Sequence, residues 1–463
     1  MLHLDASSDI PLYQQIYEQI RQDIMSGSLR RGARLPSTRS LAVELGAGRN
    51  TVENAYAQLA LEGYVSGRPR AAFVVNDVQQ FPHLRKPAAF EHTADTPARS
   101  KIFYDFHYGV TEPGAFPLQL WRKLSHEALE KSRTGMHSYG ELQGHARLRA
   151  EIAEYLYRSR GVRCSPGQVV VTSGFQASLS VICDLVLRAE CAIAMEEPGY
   201  RGARVVFQGN GFPLQPIPVH EDGLDIDVLR ASRVQAVYVT PSHQFPMGAV
   251  LPIRKRVELL RWASESDALI IEDDYDSEFR YNGRPVPSLQ SIDGEGRVIY
   301  LGTFSKALSP GLRTAYLVLP ERLLPEYKQR FSGCVNTVPW LEQHVLAAFM
   351  AEGHWEKHLR RTCASNRKKH DMLVDAVSRA FGNAVRIHGQ GAGVHLLLEF
   401  PEGAREEELA ARAETMGVRV YPASPHWLET SSYAGNCLFL GFAVLQAEDI
   451  LPAVALLRQA WQV

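Results

Sequence analysis

Short β-branched runs recur between residues 169 and 319, separated by helix-forming sequence, and this rhythm restricts the fold more than any other feature of the chain. The runs are Val169–Thr172, Ala236–Thr240, Ala268–Ile271, Val298–Leu301 and Ala315–Leu319. Strands alternating with helical stretches predict an α/β architecture, a mostly parallel sheet with covering helices. From about residue 365 the chain carries its own helices and a further strand-like run, Val394–Phe400. That predicts a small α+β subdomain over 365–463, within a large domain spanning 101–463.

The first part of the chain follows a different period. Ile16, Ile20 and Ile24 recur every four residues after Pro11, with Leu12 and Tyr13 opening the run. An amphipathic helix ending near Gly27 is predicted. A short helix should follow Pro36, through Leu41, Ala42 and Leu45, and stop at Gly46. A third should run from Asn50 to about Glu62, with Val52, Ala55, Tyr56 and Leu59 inward and Gly63 as its stop. Residues 64–75 then read as two short strands around a basic tip. Together these predict a winged helix-turn-helix unit over 10–76. Residues 77–100 hold three prolines and no sustained period, which predicts a linker.

Composition bounds the function. The formal net charge is −1, from 50 basic and 51 acidic residues, which excludes a chain made mostly of nucleic-acid-binding surface and a polybasic membrane binder. Neutrality nevertheless hides a local imbalance. Residues 28–70 contain seven arginines (30, 31, 34, 39, 49, 68 and 70) against only Glu44, Glu53 and Glu62. Arg49, Asn50 and Thr51 fall at the exposed start of the third helix, where side chains of a recognition helix meet base edges or phosphates. Arg39 precedes the turn, and Arg68 and Arg70 stand at the wing tip, suited to phosphate or minor-groove contact. The plainer alternative is a small helical domain whose arginines face solvent. No apolar run reaches the roughly 18 residues of a membrane span. The start lacks the basic region of a signal peptide. Six scattered cysteines without a C-x-x-C pair support neither a disulfide framework nor a metal site, so a cytoplasmic protein is expected.

The richest chemistry lies between 270 and 313. Ser305-Lys306 follows a predicted strand, and a lysine there can be desolvated, which lowers its pKa and permits a Schiff base with an aldehyde. Ile270-Ile271-Glu272-Asp273-Asp274-Tyr275 places carboxylates at the end of another strand. Pyridoxal 5′-phosphate needs such parts: a lysine, a carboxylate for the pyridine nitrogen and a phosphate cradle. Thr172-Ser173-Gly174-Phe175-Gln176 leads from a strand into a helix whose first N–H groups can hold a phosphate, with Ser173 and Gln176 nearby. Thr303 and Arg313 flank the lysine, and Tyr200 could stack on the ring. Singly, each has a simpler reading: a solvated lysine, a capped acidic loop, a packing tyrosine, an ordinary turn.

Longer strings carry a resemblance. Pro11-Leu12-Tyr13-Gln14-Gln15-Ile16, Leu35-Pro36-Ser37-Thr38-Arg39 and Arg49-Asn50-Thr51-Val52 resemble the winged helix of GntR-type bacterial regulators, except that the usual wing glycine is Ala72. Tyr139-Gly140-Glu141-Leu142-Gln143-Gly144, Glu197-Pro198-Gly199-Tyr200, Glu272-Asp273-Asp274-Tyr275-Asp276 and Gly302-Thr303-Phe304-Ser305-Lys306 resemble fold-type-I aminotransferases. The whole chain resembles the MocR subfamily, in which a winged helix is linked to an aminotransferase-like domain. The resemblance implies pyridoxal 5′-phosphate held as an internal aldimine by Lys306, with Asp273 on the pyridine nitrogen and Tyr275 toward the ring hydroxyl. It further implies Ser173, Gln176, Thr303 and Arg313 at the phosphate and Tyr200 on the ring face. Tyr139 would be lent by a partner subunit of a head-to-tail homodimer, and the target would be double-stranded operator DNA.

Two departures bear on function. Where aminotransferases carry Asn-Pro-x-Gly the chain has Phe245-Pro246-Met247-Gly248, so His243 or Gln244 would stand in for the asparagine at the ring hydroxyl. The arginine that grips a substrate α-carboxylate is also missing, since no Lys or Arg occurs between Arg419 and Arg458. Three readings follow. One is a regulator that senses an amine, amino acid or B6 vitamer as a small-molecule effector. The second is an active aminotransferase with a DNA-binding domain, and the third a dimerisation scaffold that senses the vitamer alone. The missing arginine favours the first and third.

Overall fold

The computed structural model describes residues 2–5, 8, 10–67, 72–77, 101–131, 135–186, 191–281, 286–429 and 433–462. It divides into two compact units, Met1–Pro97 and Ala98–Val463.

In the first unit, helices α1 (Leu12–Met25), α2 (Thr38–Leu45) and α3 (Arg49–Leu61) precede a hairpin of β1 (Val65–Ser66) and β2 (Val74–Val75). Ile16, Ile20 and Ile24 on α1 are buried against Val52, Ala55, Tyr56 and Leu59 on α3, forming one core. Ser37 caps α2 by accepting the Ser40 N–H at 3.0 Å. Gly46, at φ +62°, ends α2 in the left-handed conformation that glycine adopts without penalty, so α3 follows after a tight turn. The Tyr56 hydroxyl donates to Pro36 O at 3.0 Å and ties α3 to the entry of α2. Arg68, Arg70 and nearly all of the expected linker lie outside the described residues.

The second unit opens on β3 (Tyr104–Asp105), which pairs with Val418–Arg419, and is built on an eight-stranded sheet. Its strands are β4 (Val169–Thr172), β5 (Ile193–Glu197), β6 (Leu214–His220), β7 (Gly223–Leu224), β8 (Ala236–Val239), β9 (Leu269–Asp273), β10 (Val298–Thr303) and β11 (Ala315–Val318). The spatial order is β4-β11-β10-β9-β8-β5-β6-β7. Strands β10, β9, β8, β5 and β6 are mutually parallel, while β11 runs against both β10 and β4. The reversal at β11 follows from its short connection to β10, which holds Lys306 and no crossover helix. β5 and β6 fall outside the β-branched rhythm because β5 ends in Glu196-Glu197 and β6 carries Pro216 and Pro218. Both prolines precede Val219 and His220, the residues that pair with the short last strand, so on that side they lie at an edge, where a missing N–H costs least. Leu301 on β10 stands opposite Asp273 on β9, so the carboxyl ends of these strands open side by side. In α/β sheets that edge is where ligands bind.

A long helix, His354–Phe381, leads to an antiparallel sheet with strands Arg386–His388, His395–Glu399, Cys437–Gly441 and Tyr421–Pro422, in that spatial order. Leu396, Leu398, Leu438 and Leu440 of this sheet pack with Trp461 and Leu457 of the last helix.

Leu59 is fully buried in the first unit's only described core. Leu59→Ala should destabilise that unit by about 2–5 kcal/mol, read from the denaturant midpoint of the helical signal.

Candidate cofactor site and nucleic-acid interface

The site is assembled at the carboxyl ends of β9 and β10. Asp273 closes β9 almost fully buried and accepts a hydrogen bond from the Tyr238 hydroxyl on β8. Burial pushes its carboxyl up to about 7, Asp274 and Asp276 add to the rise, and the Tyr238 hydrogen bond opposes it. Among the described residues no ion pair reaches it. Lys306, past β10, donates from Nζ to Tyr108 O at 3.3 Å and lies 5.3 Å from the Tyr108 ring centroid. Desolvation lowers its pKa against the pull of Asp276 and Asp273. Arg313, itself left-handed at φ +48°, lies over the start of the helix Phe175–Val186. Gly174, at φ +98°, takes a backbone conformation that favours glycine, and with no Cβ there Arg313 Nη2 comes in close over it. The Ser305 N–H donates to Thr303 Oγ1 at 3.1 Å.

Of the residues singled out in the sequence, Asp273, Tyr275, Lys306, Thr303, Arg313 and Tyr200 line one cavity of about 300 Å³. Five others do not line it. Ser173 Oγ instead accepts a hydrogen bond from Thr337 Oγ1 at 2.9 Å, and Gln176 is exposed on the helix surface. Tyr139 is 83% exposed and borders a separate cavity with Trp340 and His344. His243 stands behind Tyr275, with Nδ1 3.1 Å from the Tyr275 hydroxyl and 2.9 Å from Asp276 Oδ2. It is pinned there by backbone, since a Cβ on Gly393 (φ +84°) would lie 2.2 Å from His243 Cε1. Gln244 is occupied by Pro198 O and Phe245 O.

Sequence reasoning missed Tyr108, Tyr238, Asp276 and the support of Asp274. Arg160 forks onto Asp274, Nε to Oδ2 at 2.6 Å and Nη2 to Oδ1 at 3.1 Å, and Tyr300 donates to the same carboxylate at 2.6 Å. Only the density of acids in Glu272–Glu278 signals that a buried cation must answer them. The place of the missing carboxylate clamp is aromatic. Phe439 stacks on Tyr108 at 5.3 Å and on Phe245 at 5.5 Å. His426 beside them is pushed down to about 4 by burial, so it carries no charge near pH 7. Arg204 donates to the carbonyls of Trp427 and Pro425, which leaves it unavailable.

These groups fit pyridoxal 5′-phosphate. A buried carboxyl without a cation suits a pyridinium nitrogen, a desolvated lysine suits an aldehyde, and Arg313 over a glycine-opened helix start suits a phosphate.

On the first unit, Arg39, Arg49 and Asn50 are exposed and Thr51 is half-buried. Three of them occupy the first turn of α3, after the N-cap Gly48. Arg49 Nε pairs with Glu53 Oε1 at 2.8 Å, one turn along. No helix among the described residues is long and apolar enough to cross a membrane.

Comparison with known proteins agrees with both halves. Residues 12–75 match the bacterial regulatory proteins of the gntR family, and residues 110–435 match aminotransferase class I and II. The chain is 39% identical to the HTH-type transcriptional regulator YdeL of Bacillus subtilis (strain 168), over 99% of both proteins. It is 35% identical to the probable rhizopine catabolism regulatory protein MocR of Rhizobium meliloti, over 100% of this chain and 96% of that one. Among solved structures, LysN, the α-aminoadipate aminotransferase of Thermus thermophilus, is similar at 30% identity and a TM-score of 0.70, covering 78% of this chain and 92% of its own. With a gntR-type helix-turn-helix joined to an aminotransferase class I and II domain whose cofactor is pyridoxal 5′-phosphate, the chain belongs to the MocR subfamily of DNA-binding transcriptional regulators.

Proposed function

We propose that this regulator senses a small amine, amino acid or B6 vitamer at Lys306 and conveys its presence to operator DNA. The observation that carries the reading is Lys306 and a buried Asp273 that no ion pair reaches among the described residues, sharing one cavity in a chain that also carries a helix-turn-helix. When bound, the cofactor supplies an aldehyde conjugated to an electron-withdrawing ring.

The chain's own groups then have defined work. Desolvation leaves a larger share of the Lys306 amine unprotonated, hence nucleophilic, than a solvated lysine would have. Asp273 would hold the cofactor's ring nitrogen, its carboxylate steadied by the Tyr238 hydroxyl. Tyr275 would serve the ring oxygen, and His243 would act through Tyr275 rather than on the ring. Thr303, Arg313 and the Phe175 helix start would hold the phosphate, and Tyr200 the ring face. Ser173 joins the phosphate only by leaving Thr337, and Gln176 only by turning inward. Tyr139, exposed on this chain, is offered to the partner in a head-to-tail homodimer. Such a dimer reads paired half-sites with Arg39, Arg49, Asn50 and Thr51, with Arg68 and Arg70 as further contacts to the duplex. Action on DNA places the protein in the cytoplasm. Phe439 and neutral His426 offer an α-carboxylate no cation, which favours a sensor over an efficient aminotransferase.

Three outcomes test this. Lys306→Ala should abolish the visible absorption of the cofactor-loaded protein while circular dichroism is unchanged; a retained band places the attachment elsewhere. Arg49→Ala should weaken operator binding by about tenfold or more in a mobility-shift assay, with the absorption band intact. The third concerns pH. In cofactor-free protein Asp273 keeps its proton up to about pH 7, whereas the unfolded carboxyl loses it near 3.8, so stability falls as pH rises through that window. Asp273→Asn should therefore raise the cofactor-free melting temperature at pH 8, change it little near pH 4, and weaken cofactor binding.

A further inference from the structure

A second cavity, of about 230 Å³, shares Lys306 with the first and no other residue. Its remaining wall comes from the loop Thr111–Ala115, the turn after Lys306, and one face of the helix His354–Phe381. That face is polar at helical spacing: His358, Arg361, Thr362, Ser365, Asn366 and Lys369. A stripe directed into protein is ordinarily apolar, so each polar group on it needs a partner.

Four of them have one. Lys369, 2% exposed, pairs with Glu112 at 2.7 Å and donates to Ala443 O at 3.0 Å. His358 Nε2 meets Ala307 O at 2.7 Å and Thr362 Oγ1 at 3.4 Å, and Ser365 Oγ donates to Glu112 at 3.5 Å. Two do not. Asn366 lines the cavity at 4% exposure, and among the described residues its amide has no hydrogen-bond partner. Arg361, at the rim, has no acidic partner among them either. The cavity's single carboxylate, Glu112, is neutralised by Lys369, with Ser365 Oγ 3.5 Å away. A guanidinium, a buried amide donor and the hydroxyls of Thr111, Thr362 and Ser365 therefore face one space beside Lys306.

We propose that this second cavity binds a small carboxylate, gripped by Arg361 and Asn366, at a site separate from the cofactor cavity. A planar carboxylate is what a guanidinium fork binds best, and it accepts the hydrogen bond that Asn366 has free. Its negative charge beside Lys306 favours the protonated amine, so the bound anion opposes reaction at Lys306. This regulatory consequence rests on the assignment of Lys306 to the cofactor; the binding itself does not.

The test uses the full-length, cofactor-free chain carrying Arg313→Ala, which removes the anion cradle of the first cavity. It is titrated calorimetrically with sodium acetate and sodium malonate at constant ionic strength. Saturable binding at one site per chain is expected, weakened about tenfold or more by adding Arg361→Ala. Arg361 lies at the rim, so its loss leaves the fold intact by circular dichroism. Asn366→Asp, of equal size but repelling an anion, should abolish binding in the same background. Absence of saturable binding, or binding undiminished by Arg361→Ala, overturns the proposal. Failure of the cofactor assignment is read separately, from the absorption band of Lys306→Ala.

Discussion

The large unit depends on the fork of Arg160 on Asp274. Glu272, Asp273, Asp274, Asp276 and Glu278 crowd the end of one strand and the turn after it, and the first four are almost fully buried. Burying one unpaired carboxylate costs several kcal/mol, and a row of them would unfold the strand end. Each has its own remedy. Arg160 holds Asp274 below its usual range, with help from Tyr300. Glu272 takes the N–H groups of Leu289 and Gln290 at 2.6 and 2.8 Å. Glu278 accepts from Tyr155 at 3.0 Å. Asp276 leans on His243. Asp273 and Glu278 are each left with a phenol and no ion pair, and of the two it is Asp273 that faces the cavity of Lys306.

Much of this was legible in the sequence, for identifiable reasons. The isoleucines of α1 and the runs of β4, β8, β9 and β10 follow periods that burial imposes, so they could be read locally. Lys306, Asp273 and Tyr275 were legible because each follows a strand closely and the strand carries it to the sheet edge. What escaped depends on contacts between distant segments. Tyr108 meets Lys306 across nearly two hundred positions, and Tyr238 reaches Asp273 from a neighbouring strand. Neither has a local pattern to mark it. Ser173 and Gln176 show the converse: the right residue types beside the right helix start, with one hydroxyl held by Thr337 and one side chain turned to solvent.

His243 shows how backbone can set a side chain's role. From the sequence it stands near the position of a missing asparagine, but Gly393 and the close pair Gly248 and Gly389 leave no room for it to turn elsewhere. A Cβ on Gly248 would lie 2.4 Å from Gly389 Cα, so the segment after β8 and the turn before the strand His395–Glu399 touch through bare backbone. The imidazole therefore joins Tyr275 and Asp276 to the C-terminal sheet, and a change in the Tyr275 hydrogen bond reaches that sheet within one side chain.

The pairing of Arg49 with Glu53 has a consequence for the surface that α3 presents. Among the described residues Glu53 takes the guanidinium by Nε alone, which leaves both Nη groups open at the exposed start of the helix. A surface pair of this kind is weak, so it orients the side chain at little cost. The fork is thereby steadied rather than left to swing, and an acceptor that meets its open edge need not first displace the acid.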